Sequence, residues 1–113
     1  METYLFSYGT LKTEKAQMEL FGRALTGTED VLKGYKTELI EVTDALFLAR
    51  GENKIQQTVV PTKDNNDIIQ GIVFEISEAE LLVADKYKPD NYKRIKIVLD
   101  SGKEGWVYAA ETN

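Results

Sequence analysis

Between Thr3 and Tyr8 the side chains alternate, with Tyr4, Phe6 and Tyr8 on one side and Leu5 and Ser7 on the other. That is the period-two signature of an aromatic-rich strand. Gly9 and Thr10 break it, and Thr13 is placed to cap a helix running to about Phe21, with Ala16, Met18, Leu20 and Phe21 as its apolar positions. Gly22 and Gly27 mark irregular chain. Val31 to Val42 reads as strand interrupted near Gly34, Ala45 to Leu48 as a short apolar piece, and Gly51-Glu52-Asn53 as a turn. A strand from Thr58 ends at Pro61, and Thr62 to Asp67 is a polar loop.

The second half is more regular. Gln70 to Ile76 is a strand with Ile72, Phe74 and Ile76 on one face. Ser77-Glu78-Ala79-Glu80 has the spacing of a capping box, in which serine and glutamate each satisfy the other's free amide. The helix it opens carries Ala79, Leu82, Val83 and Tyr87 at i, i+3, i+4 and i+8, and Pro89 stops it near Lys88. Tyr92 to Leu99 alternates again, burying Ile95, Ile97 and Leu99 and leaving Arg94 and Lys96 opposite. Asp100-Ser101-Gly102-Lys103 turns a hairpin, and Gly105 to Ala110 returns with Trp106 and Tyr108 on one face. About six strands and two helices without a βαβ rhythm predict an α+β fold: a mostly antiparallel curled sheet or small β-barrel.

The 113 residues fit one domain, 1–113, and 42% hydrophobic with 29% charged residues is ordinary for a globular protein. There is no cysteine, which fits a reducing compartment, and no histidine. The second absence excludes a histidine base, a serine–histidine nucleophile and a His/Cys zinc site, so proton transfer falls to Asp, Glu, Lys or Tyr. A net charge of −5 without a basic run argues against nucleic acid. No apolar run reaches the ~20 residues of a membrane span. The start of the chain, with Glu2 and then a patterned strand, is unlike a signal peptide, so a cytoplasmic location is expected.

Three segments taken together resemble the gamma-glutamylcyclotransferase-like family. They are Leu5-Phe6-Ser7-Tyr8-Gly9-Thr10-Leu11; Pro61 followed, after a short loop, by Gly71-Ile72-Val73-Phe74-Glu75-Ile76; and Ala84-Asp85-Lys86-Tyr87-Lys88-Pro89 with Tyr92-Lys93-Arg94 and Gly105-Trp106-Val107-Tyr108. Their order spans nearly the whole chain, although residues 22–57 add little. The resemblance implies a small gamma-glutamyl compound as ligand. Its α-amine attacks its own γ-carbonyl, yielding 5-oxoproline and a free amine, without metal or organic cofactor. It also implies that Tyr8, Gly9, Thr10 and Leu11 line the carbonyl pocket, with Tyr92 nearby. From the residues alone, Gly9 is equally a strand-ending turn, Tyr92 a cross-strand packing residue, Tyr4, Trp106 and Tyr108 core aromatics, and Arg94 a solvent-facing or ion-paired residue.

One departure stands out. The family's helix end reads roughly Leu-Asp-x-x-Glu-Gly, with the glutamate as base. Here Asp85 matches, Lys88 stands at the catalytic glutamate's position and Pro89 at the glycine's. A lysine at a helix C-terminus is favoured as the cation and reads as a solvated helix-end charge that cannot accept a proton. Three readings follow. The chain is a cyclotransferase; it is a catalytically impaired module that binds a small acidic, glutamyl-like metabolite, with Lys88 as a carboxylate contact; or it is an interaction barrel with a closed pocket. Asp90 reads first as a turn residue after Pro89, with a carboxylate supplied to the pocket as the alternative. Oligomeric state is not legible.

Overall fold

The computed structural model describes residues 3–9 and 13–110. Among them the chain forms β1 (Thr3–Ser7), α1 (Glu14–Phe21), β2 (Thr26–Lys33), β3 (Tyr35–Glu41), α2 (Ala45–Ala49), β4 (Ile55–Pro61), β5 (Ile68–Ile76), α3 (Glu78–Tyr87), β6 (Tyr92–Val98) and β7 (Glu104–Ala110). The class is the expected α+β, as seven strands in two sheets with three helices. The larger sheet is curled but open, in the order β2-β5-β1-β7-β6, and β3 and β4 pair as a separate ribbon. All pairings are antiparallel except that of β1 with β7.

Alternation along the strands sends side chains to two cores. On one face Phe6, Val73, Ile97 and Val107 pack with Val59 and Tyr35 of the β3–β4 ribbon. On the other, Leu5, Phe74, Ile76 and Tyr108 meet Leu81 and Ala84 of α3, and Ala16, Leu20 and Phe21 of α1. The sheet is therefore covered on both faces, by a ribbon and by a helix layer. The helices start where the sequence says they should. Thr13 Oγ1 accepts from the Ala16 amide, and Ser77 and Glu80 exchange both bonds of the capping box. Arg23 grips both oxygens of Glu80 at 2.7 Å and holds that carboxyl down at about 2, joining the chain after α1 to the start of α3.

Three local expectations are corrected. Gly27 lies inside β2 rather than in irregular chain. A β-carbon there would come within 2.6 Å of Ile72 and Phe74, so its lack of a side chain permits a close strand approach. Residues 31–42 are not one interrupted strand. Gly34, at φ +80°, divides β2 from β3 and sends them to different sheets. The buried stripe of α3 is Leu81 and Ala84, whereas Leu82 and Val83 are 58% and 42% exposed. Leu81, Ala84 and Lys88 fall at i, i+3 and i+7, so the true stripe aims Lys88 inward.

Ribbon and sheet are tied through Thr58, fully buried, whose Oγ1 accepts from the Ala110 amide at 2.7 Å. Thr58→Val keeps the shape but strands that amide. It should cost ~1–3 kcal/mol in urea unfolding, a loss that Thr58→Ser largely avoids.

Candidate functional site

β1 runs out beneath the C-terminal end of α3, and the chain linking α2 to β4 closes over the gap. The result is a cavity of about 320 Å³. Ser7, Tyr8 and Gly9 line it from the end of β1, Lys88, Pro89 and Tyr92 from the end of α3 and the start of β6, and Phe47, Glu52, Asn53 and Gln57 from α2, β4 and the chain between them. The α2–β4 segment is pinned to α3 by polar contacts. Asp44 caps α2 and also takes the Asp90 amide at 2.9 Å. Arg50 donates to the Tyr87 carbonyl at 2.8 Å and covers the Tyr87 ring at 5.5 Å. The Tyr87 hydroxyl donates to Glu52 Oε1 at 2.7 Å.

The tyrosines frame the cavity. Tyr8 donates to the Tyr108 carbonyl at 2.8 Å, and Tyr92 to the Gln57 carbonyl at the same distance. Burial pushes the Tyr92 phenol up to about 12, and burial followed by the neighbouring Tyr92 pushes Tyr8 higher still, so both stay neutral donors. Tyr108 donates to Asp85 Oδ1 at 2.6 Å, and the same oxygen receives Arg94 Nε at 2.7 Å. Arg94 is thus an ion-pair partner, with its guanidinium also stacked over Trp106 at 4.7 Å. Asp85, the residue that matches the family motif, fixes a ring of the cavity lining.

Lys88 is not a solvated helix-end cation. Its Nζ sits over the Tyr108 ring, 5.4 Å from the centroid, and the residue is half-buried in the cavity lining. Loss of water lowers its pKa to about 8, against the opposing pull of the Glu52 carboxylate. Desolvation therefore outweighs the helix field, yet a group of pKa about 8 is still mostly protonated at pH 7.

The structure brings Tyr8, Gly9, Lys88 and Tyr92 to one cavity; Thr10 and Leu11 lie outside the described residues. A β-carbon built on Gly9 would meet nothing within 4 Å, so the chain there faces open space. Asp90 is exposed, is not part of the lining, and gives its amide to Asp44. The closed-pocket expectation does not hold. Glu52, Gln57 and Phe47 come from the stretch that carried no signal in the sequence. A glutamate between Gly51 and Asn53 reads as a turn, and only the docking of this turn on Tyr87 makes it part of a site. Tyr108 belongs to both core and cavity. Among the described residues no three acidic side chains converge as a metal site, and no helix is long and apolar enough to cross a membrane.

A desolvated ammonium costs stability that an apolar side chain does not. Lys88→Met should therefore stabilise the fold by ~2 kcal/mol at pH 7. The folded pKa, about 8, lies below the ordinary 10.5, so the unfolded chain holds the proton more tightly. Wild-type stability then rises between pH 8 and 10.5, and the gap to Lys88→Met closes over that window. Denaturant unfolding of both proteins at pH 7 and pH 10 measures it; an unchanged gap would mean a solvated amine.

Several solved structures share this architecture. A protein named gamma-glutamyl cyclotransferase superposes with a TM-score of 0.71 at 14% identity, over 99% of this chain and 68% of its own. The At3g28950.1 protein of Arabidopsis thaliana gives 0.70 at 18% identity, over 97% and 62%. YkqA from Bacillus subtilis gives 0.66 at 26% identity, over 100% of this chain but 37% of its own. The chain thus spans less than two thirds of the Arabidopsis protein and little more than a third of YkqA. No curated protein matches it. A family model described as gamma-glutamyl cyclotransferase, AIG2-like, matches residues 5–113. With that match over nearly its full length, on this fold, the chain belongs to the gamma-glutamyl cyclotransferase, AIG2-like family.

Proposed function

We propose that the cavity binds the glutamyl head of a small gamma-glutamyl compound and that the protein cyclises it, releasing 5-oxoproline and an amine. The observation that carries this reading is Lys88. A desolvated ammonium on a cavity wall, in a protein of net charge −5, is a site for a carboxylate. The α-carboxylate of a glutamyl group is the anion that family membership points to. Once it is held, the γ-carbonyl falls towards Tyr8 and Gly9. The reaction is intramolecular, so folding the substrate so that its amine faces its carbonyl provides much of the rate. The oxyanion that develops needs amide donors, and the open space at Gly9 gives a carbonyl access to main chain. The neutral Tyr8 and Tyr92 keep the cavity walls fixed through their bonds to Tyr108 and Gln57.

A second reading has a specific observation in its favour. The group at the family's glutamate position is a cation at neutral pH, so a chain with no other base would bind the glutamyl head without turning it over. Incubation with a panel of gamma-glutamyl amines and gamma-glutamyl amino acids, with 5-oxoproline as the readout, separates the two. Turnover by the wild type supports the enzyme. Turnover only after Lys88→Glu, with glutamate or 5-oxoproline raising the wild-type melting temperature, supports the binder.

The pH profile reports the role of Lys88. As a carboxylate anchor it must be charged, so kcat/KM should fall as pH rises through about 8. Lys88→Arg keeps its charge throughout and should lack that fall. A lysine acting as base predicts the reverse, with kcat/KM rising through the same pH.

A further inference from the structure

Lys88 occupies the helix-end position as a cation, yet the cyclisation needs a proton acceptor. Among the described residues the cavity lining contains one carboxylate, contributed by a different part of the chain. Glu52 is half-buried in the same lining as Lys88, close enough for its charge to act on that amine, and its Oε1 is oriented by the Tyr87 hydroxyl at 2.7 Å. Among the described residues Tyr87 is its hydrogen-bond donor, which leaves Oε2 for another. Asp85 is engaged by Tyr108 and Arg94, and neither it nor the exposed Asp90 is part of the cavity lining.

We propose that Glu52 is the group that receives the substrate's α-ammonium and serves as the proton acceptor of the cyclisation, in place of the glutamate missing from the end of α3. This assignment rests on the glutamyl reading of the cavity. Lys88 and Glu52 then form a pair of opposite charges matched to the two charges of an amino-acid head, carboxylate to Lys88 and ammonium to Glu52. Glu52 takes one proton from the ammonium. The freed amine attacks the γ-carbonyl carbon, a C–N bond forms, and the carbonyl electrons move to oxygen. When the oxyanion collapses, the bond from that carbon to the departing nitrogen breaks. The surplus proton of the new ring nitrogen and the proton held on Glu52 go to the departing nitrogen, which leaves as an ammonium. Glu52 is returned as the carboxylate, and no water, metal or oxidant is consumed. Tyr87 is a positioning residue, since it orients Glu52 and touches no reacting atom.

The test uses Glu52→Gln, which keeps an oxygen for Tyr87 and a neutral group of the same size. Turnover of the panel should fall ~100-fold or more in kcat, with the melting temperature retained. Tyr87→Phe should cost less, mostly in kcat, and Lys88→Met should act mostly on KM. A second readout does not need turnover: binding of glutamine against N-acetylglutamine, which has the same carboxylate and side chain but no ammonium. The wild type should prefer glutamine about tenfold or more, by the value of a charge-assisted contact, and Glu52→Gln should lose the preference. Wild-type turnover that survives Glu52→Gln overturns the assignment while the proposed function stands. Absence of wild-type turnover, with a glutamine preference that Glu52→Gln abolishes, sinks the proposed reaction but keeps Glu52 as the ammonium site. Equal binding of the two compounds, or binding of neither, overturns Glu52 as the receiver of the ammonium.

Discussion

The cavity exists because residues 44–53 are fastened to the last turn of α3. A helix end leaves carbonyls without internal partners, and here they are met from outside by a separate segment. Arg50 takes the Tyr87 carbonyl, Asp44 takes the Asp90 amide just beyond the helix, and Tyr87 reaches back to Glu52. Phe47 packs edge-on against the Tyr87 ring at 6.2 Å and excludes water from the joint. Remove this attachment and the end of β1 faces solvent and Lys88 is hydrated, while the ribbon is still held to the sheet through Thr58, the Gln57 carbonyl and the packing of Val59 and Tyr35. The site is therefore a property of a contact between two segments about forty residues apart.

That contact also sets the electrostatics. An ammonium out of water is tolerable when a carboxylate is near and an aromatic face lies beneath it, and Lys88 has both in Glu52 and Tyr108. The Tyr108 ring is itself held by Asp85, which Arg94 holds in turn. A chain of fixed groups thus runs from Arg94 through Asp85 and Tyr108 to the cavity. On the proposed reading the helix end carries the cation, in agreement with its own field, and the carboxylate comes from the Gly51–Asn53 turn.

What could be read from the sequence followed from how local each signal is. The alternation of Tyr4, Phe6 and Tyr8, the capping box at Ser77, and the Asp100–Lys103 hairpin each depend on neighbours within a few residues, and each is present. The face of α3 was less legible because Ala79, Leu81, Leu82, Val83 and Ala84 crowd five apolar residues into six positions, so periodicity does not choose among them. The sheet chooses, since Leu81 and Ala84 are the ones that meet Phe74 and Tyr108. The helix-end field that argues for a solvated Lys88 takes no account of the segment packed around it. α2 is five residues long and reads as a mere apolar piece, and β2 opens with polar residues that become strand only by pairing with β5. Tyr8, Gly9 and Tyr92 were found through motif resemblance, while Glu52 has no motif and depends wholly on tertiary packing.

A change of base position is easier to accept for this reaction than for most. In an attack of one end of a molecule on the other, the nucleophile is supplied by the substrate, and no protein nucleophile has to be aligned with it. The protein has to fix the carboxylate, present donors to the oxyanion, and offer a proton acceptor somewhere along the surface of the ammonium. That group carries three protons in a cone and can surrender one in several directions. More than one place in the lining then suits a carboxylate. On the proposed reading Lys88 is the anchor at the helix end, and the docking of the Gly51–Asn53 turn against Tyr87 brings Glu52 to the same cavity as the acceptor.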